Sequence, residues 1–308
     1  MKESLEKQIS NEREWEKRSE SEGKEMVEFS SLPEGVIANI LSLTSPLDNC
    51  RLSAVSWTFH AAAQSDVAWE RFIPSDYHLL ISRMNPTSSS KKDIFFSLSD
   101  TPLLIDDGKQ SFSLDIWSGK KCIMLGARDL SISGSDTSSL WKWVPHQGSR
   151  VGLRNRFGEV VVLLDICLLE VSGKISCRML SPATTYAAYF VFKMKKRKYY
   201  GFNLDPVEAM LGVVGDDCHG KNVCLDPDLD SPSWLHQFLP WAESNQNMSE
   251  FEQPNWRSDG LFEIELGEFQ TNGKDDEVEV ILREDNRCSP KSGLVVVGID
   301  IRPKTSPA

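Results

Sequence analysis

Cys218-His219 and Cys224, beside Asp216 and Asp217, carry the donor types of a metal site. Thiolate, imidazole and carboxylate are the groups that zinc takes. The spacing argues against a closed site: five residues separate the thiols and no second Cys/His pair follows. The other histidines, at 60, 78, 146 and 236, adjoin no recognisable nucleophile motif. Asp106-Asp107 and Asp275-Asp276-Glu277 read as turn acids rather than as an acid/base couple. No phosphate loop, Gly-x-Ser-x-Gly or His-Glu-x-x-His is found. These residues therefore assign no catalytic group, no metal and no cofactor. One charge cluster stands out, Lys193-Met194-Lys195-Lys196-Arg197-Lys198. It reads either as an exposed hairpin tip that resists edge pairing or as a nuclear import signal.

The surrounding chain is acidic. Its 308 residues carry a net charge of −11, which argues against broad phosphate-backbone binding. No run approaches the ~20 apolar residues that span a bilayer, and the N-terminus does not read as a signal peptide. The odd count of seven cysteines reads as free thiols in a reducing compartment. Asn247-Met248-Ser249 matches a glycosylation acceptor, and in that compartment the match is chance.

Three short helices are predicted between residues 32 and 72. Pro33 suits a first helical position, with Ser30 and Ser31 as caps, and Val36, Ile37, Ile40 and Leu41 share one face. Ser45-Pro46 with Asp48 starts a second helix, whose stripe is Leu47, Cys50, Ala54 and Val55. Ala61-Ala62-Ala63 continues a third, and Asp66 caps the turn that holds Trp69. So short a stretch has more apolar face than it can bury alone, which points to a partner surface.

Around this unit, residues 1–25 hold eight acids and six bases and read as a disordered arm. The helical domain is predicted over 26–83, a Ser-rich linker over 84–92, a second domain over 93–304 and a tail over 305–308. The second domain reads as all-β. Phe112–Trp117, Cys122–Leu125, Val160–Leu164, Thr184–Phe192, Leu261–Leu266, Val278–Leu282 and Leu294–Ile301 read as short strands. Ser172-Gly173 reads as a turn. Residues 226–259, rich in Pro and Trp, read as a long loop that folds back on the core or shapes a ligand cleft. The fold class is thus α+β multidomain: a small helical unit followed by a jelly-roll-like sandwich.

Two resemblances give these units a meaning. Leu32-Pro33, Ser45-Pro46-Leu47-Asp48, Val55-Ser56-Trp57 and Trp69, in that order, resemble an F-box. Such helices dock on a Skp-type adaptor and, through it, on a cullin of a ubiquitin ligase. The resemblance implies that Leu32, Pro33, Ile37, Ile40, Leu41, Leu47 and Val55 bind the adaptor. Further on, Gly126–Ile132, Trp141-Lys142-Trp143, Leu163–Glu170, Tyr186–Lys193, Asp259–Phe269 and Gly293–Lys304 resemble the phloem-protein-2 family, the tobacco-lectin (Nictaba) domain.

The second resemblance implies binding of N-acetylglucosamine-containing glycans or glycoproteins. Its carriers are Trp141 and Trp143 as ring platforms and Glu263, Glu265 and Glu268 as acceptors. The same residues also read as buried packing and as a solvated strand face. Gly134 stands where the family commonly has a tryptophan, and Leu261 replaces another. Together the resemblances imply a non-catalytic adaptor of a ubiquitin ligase in cytoplasm and nucleus, with no nucleic acid and no membrane as partner. The alternatives are a carbohydrate-binding lectin without a ligase role and a protein-only receptor that has lost sugar binding.

Overall fold

The structure is a computed structural model that describes residues 32–75, 90–145, 157–195, 198–215, 218–228, 246–284 and 289–304. The arm at 1–25, most of the linker, and Trp234, Phe238 and Trp241 of the long loop lie outside the described residues. The chain divides into two compact units, Met1–Arg71 and Phe72–Ala308.

The first unit is helical: α1 (Glu34–Leu41), α2 (Pro46–Leu52), α3 (Trp57–Gln64) and α4 (Asp66–Glu70). Hydroxyl caps set most of its starts, because each leaves a side-chain oxygen for an orphan N–H. Ser45 Oγ accepts from Asp48 N at 3.1 Å, and Ser56 Oγ accepts from Phe59 N at 3.3 Å. Ser65, not the expected Asp66, caps α4. Pro33 stands at the N-cap of α1, one residue before the predicted position. α1 packs on α3 and α4 through Ile37, Leu41, Ala62, Ala63 and Trp69. The Trp69 indole N–H donates to Ala63 O at 2.7 Å and so is satisfied inside this core. α2 ends at Leu52, which leaves Ala54 and Val55 of the predicted stripe in an exposed turn.

The second unit opens on a helix, α5 (Lys91–Asp100), where linker and strand were expected. Ser90 Oγ accepts from Asp93 N at 3.1 Å, and Phe95 and Leu98 are buried beside the second strand. Ser-x-x-Asp before an apolar pair at helical spacing is a start signal that the serine-rich context obscured.

Among the described residues fourteen strands follow: β1 (Leu103–Ile105), β2 (Gln110–Leu114), β3 (Lys121–Gly126), β4 (Ser131–Ile132), β5 (Trp141–Pro145), β6 (Glu159–Leu163), β7 (Glu170–Ser176), β8 (Thr185–Met194), β9 (Val207–Val213), β10 (His219–Val223), β11 (Asn255–Trp256), β12 (Phe262–Gln270), β13 (Glu277–Arg283) and β14 (Leu294–Pro303). One antiparallel sheet runs β1-β2-β3-β14-β8-β12-β11, with β6 and then β5 attached to β14. The other runs β10-β9-β13-β7-β4. Even-numbered residues of β8, such as Phe190 and Phe192, are fully buried, as are Ile299 and Ile301 of β14 and Val280 and Leu282 of β13. The result is the expected β-sandwich.

Ser172-Gly173 is not a turn; it lies inside β7. Gly173 is where the sheets approach closely, since a Cβ there would stand 2.9 Å from Leu125 Cδ1 and 2.8 Å from Leu130 Cδ2. The packing demands the glycine, and no bend follows. A β-bulge between Glu265 and Gly267 shifts the register of β12 against β8. Glu268 therefore pairs with Ala187 on the face that Glu265 and Glu263 also occupy.

Candidate functional site

In the helical unit, apolar side chains divide cleanly between inside and outside. Ile37 and Leu41 are both 0% exposed, so they build the unit's own core and offer no contact surface. This corrects the sequence expectation for those two residues. Leu32 and Leu47 are half-buried and Pro33 is exposed. Ile40 and Val55 are exposed as expected, and the surface continues through Val36, Leu43 and Trp57. Trp57, at 89% exposure, is the most open of the exposed large apolar residues. Leu43 and Trp57 were missed as contact residues, although exposed apolar groups on turns and first helical positions are a readable signal. Desolvating them is worth roughly 1.5–3 kcal/mol each, so the bare surface favours a cover.

In the sandwich, the predicted ring platforms are committed elsewhere. Trp141 is 1% exposed, and its indole N–H donates to Ser133 O at 3.0 Å. It packs and cannot present a face, which corrects that expectation. Trp143 donates to Ser135 O at 3.3 Å, and the Arg128 guanidinium lies 3.6 Å from its ring centroid. That stack covers one face of the indole. Arg128 is itself held by Glu159 at 2.7 Å.

The glutamates are likewise paired. Glu263 bridges Arg257 Nη1 at 2.7 Å and Arg302 Nη2 at 2.6 Å. Asp300, nearly buried, sits 3.4 Å from Arg257 and 3.3 Å from Arg302, and Asp259 holds Arg257 at 2.9 Å. Burial works against the Arg257 charge, but the hydrogen bond it donates to Asp259 and the charges of Asp300, Asp259 and Glu263 outweigh it, and its pKa stands above the ordinary value. Arg302 is raised for the same reasons, with Glu263 as its main partner, and lies 3.8 Å over the Tyr189 ring. Glu265 and Glu268 share Lys304, at 2.6 and 2.8 Å. These hydrogen bonds raise the Lys304 pKa. The three glutamates thus form one continuous charged face with their cations. As free acceptors for a ligand they are not available without breaking charge-assisted bonds.

The region predicted as a poor metal site shows why it is one. Cys218 is exposed, whereas Cys224 is buried and its thiol is pushed up to about 11 by that burial. A protonated, enclosed thiol is a weak ligand. Among the described residues no three Cys, His, Asp or Glu side chains gather as metal ligands. Lys193 and Met194 end β8, while Lys196 and Arg197 of the basic cluster lie outside the described residues. No helix among the described residues is long and apolar enough to cross a membrane.

A helical unit with an uncovered apolar surface, in one chain with an antiparallel β-sandwich that carries an arginine–carboxylate lattice, defines an α+β class of two-unit protein. The chain belongs to the phloem protein 2 family: the profile described as Phloem protein 2 matches residues 120–303, more than half of the chain. An F-box-like profile matches residues 29–75. Similar proteins from Arabidopsis thaliana include F-box protein PP2-B10, 39% identical over 89% of this chain and 94% of that one. F-box protein PP2-B1 is 38% identical over 90% of each chain, and F-box protein SKIP3 is 38% identical over 89% and 88%. Among solved structures, a family 35 carbohydrate binding module from Clostridium thermocellum shares 9% identity and a TM-score of 0.30 over 58% of this chain and 96% of that one. A likeness that low carries no conclusion.

Proposed function

We propose that the chain is the substrate-recognition subunit of a Skp-cullin-F-box ubiquitin ligase, a non-catalytic adaptor acting in cytoplasm and nucleus. The helical unit docks on a Skp-type adaptor and so reaches a cullin. The β unit holds a glycan or glycoprotein substrate for modification. Ubiquitin transfer then gains rate from proximity supplied by the assembly. The observation that carries this reading is the exposed apolar surface of Val36, Ile40, Leu43, Val55 and Trp57 on the F-box-like unit. The F-box relatives named above support it.

An ordinary specific interface of roughly 1,600 Å² is the expected scale. The test is capture by a purified Skp-type adaptor. Wild type binds; Leu43→Glu with Val55→Glu weakens binding at least tenfold, while the exposed polar change Asn39→Asp leaves it within twofold. Both apolar positions are exposed, so the fold survives the change. Failure of wild type to bind the purified adaptor refutes the ligase role.

A further inference from the structure

The β unit contains a cleft of about 880 Å³ that no sequence signal marks. Ligand sites are commonly concavities of this size with a few convergent polar groups. Asp93, Ser97 and Asp100, one face of α5, line it. That face is turned away from the buried Phe95 and Leu98. Asp115, at the start of the β2–β3 turn, Arg257 just after β11, and Asp300 and Arg302 of β14 line it as well.

Three properties of this lining point to one ligand chemistry. First, it offers acceptors and a donor together: the aspartate carboxylates accept, and the Ser97 hydroxyl both donates and accepts, while the Arg302 guanidinium is already held by Tyr189, Glu263 and Asp300. A sugar needs both, because each of its hydroxyls donates and accepts. Second, an open indole follows two lining residues, Asp115 and Ile116, on the same turn. Trp117 is 54% exposed and lies two residues beyond Asp115. Its turn is fixed, since Asp115 Oδ2 accepts from Ser118 N at 2.8 Å and from Ser118 Oγ at 2.6 Å. Trp256 is also open, but it pairs in register with Phe262 and packs edge-on against it. That is the sheet face opposite to Glu263 and Arg302. Third, Asp93, Asp100, Asp115 and Asp300 line the cleft against Arg257 and Arg302, whose charge Asp259, Glu263 and Asp300 already meet. An anionic ligand enters such a site at a disadvantage.

We propose that this cleft, together with the exposed Trp117 on the turn that carries Asp115 and Ile116, is the glycan site of the β unit and that it takes neutral or amino-bearing pyranose oligomers while rejecting uronic-acid oligomers. The inference rests on the reading of the β unit as the part that holds a glycan, and it moves the site away from Trp141 and Trp143.

Calorimetric titration of the full chain with triacetylchitotriose, its de-N-acetylated form and trigalacturonate tests it. The expected result is binding of at least one of the first two and none of the third. Trp117→Ala, which removes the stacking ring, and Ser97→Trp, which fills the cleft from an exposed helix position, each lower that affinity at least tenfold. Trp256→Ala leaves it unchanged. Trimer binding that survives both cleft variants overturns the cleft while the glycan reading stands. Trigalacturonate binding as tightly as the neutral trimer overturns the charge selection. No binding of any trimer overturns both the cleft and the glycan reading, and a lysine-rich peptide that binds in their place and is lost in both cleft variants assigns the cleft to a protein ligand.

Discussion

Restoring the aromatic that the phloem-protein-2 pattern has seven residues before Trp141 should damage this chain rather than improve it. Gly134 adopts φ +74°, a left-handed backbone that costs an L-residue about 1–2 kcal/mol. A Cβ there would stand 3.0 Å from Leu140 Cδ1 and 4.0 Å from Trp141 Nε1. Gly134→Ala should therefore lose about 1–2 kcal/mol. In Gly134→Trp the larger group also crowds the Trp141 N–H···O=C bond to Ser133, and a buried donor without its acceptor adds about 1–3 kcal/mol. The expected total is roughly 2–5 kcal/mol, with no gain in glycan affinity. Urea unfolding of the full chain, followed by tryptophan fluorescence, measures the first; titration with triacetylchitotriose measures the second. Gly35→Ala is the internal control. That glycine lies in α1 with open space around its Cβ position, so alanine should stabilise by about 0.5–1 kcal/mol. A Gly134→Trp variant as stable as wild type, or one that binds the trimer tenfold tighter, refutes the reasoning.

Three further outcomes are expected. Glu284 and Lys291 form an ion pair at 2.5 Å with both side chains almost wholly buried, and burial pushes the Glu284 carboxyl up to about 7 against the pull of Lys291. The folded state thus holds that proton more tightly than the unfolded chain, so stability falls as pH rises from about 4.5 to 7.5, by roughly 3 kcal/mol from this group. Glu284→Gln should remove that slope in urea midpoints measured across the window; an unchanged slope would assign it elsewhere. Asn49 is 0% exposed, and its side-chain amide has no hydrogen-bond partner among the described residues, so Asn49→Leu should stabilise the helical unit by about 1–3 kcal/mol. A lower thermal midpoint for that variant counts against the reading. Trp141→Phe should lose about 1–3 kcal/mol of stability with no change in glycan affinity, the reverse of what a stacking platform would show.

Much of the architecture was legible because local signals agreed with packing. Ser45-Pro46 started a helix because the hydroxyl, the proline and Asp48 all favour it. Burial was less legible. Val36, Ile37, Ile40 and Leu41 form one apolar stripe, and nothing in the stripe says that only Ile37 and Leu41 turn toward α3 and α4. Gly173 was read as a turn because a glycine beside a serine has the same local signature whether the chain bends or another sheet comes close. The cleft was not legible at all. Its lining runs from Asp93 to Arg302, and those residues meet through the packing of α5 on β2, the pairing of β2 with β3 and of β3 with β14, and the ion pairs of Arg257.

The residues that carry the family pattern and the residues fit to hold a ligand are largely different sets. Trp141 stays because its ring fills the core between β5 and the Ser133–Ser135 turn, and its N–H satisfies a backbone oxygen. Glu263 neutralises two arginines, Arg257 just after β11 and Arg302 on β14; removing it would leave both beside Asp300 with one carboxylate fewer. Breaking one partner of so enclosed a network typically costs several kcal/mol. Selection for a folded sandwich is therefore enough to keep both, whatever the domain binds. Recognition falls instead to groups that the fold can change cheaply: an exposed indole on a turn, hydroxyls and acids on the outer face of α5. A change at Trp117 or Ser97 would therefore leave the packing of Trp141 and the Glu263 network in place.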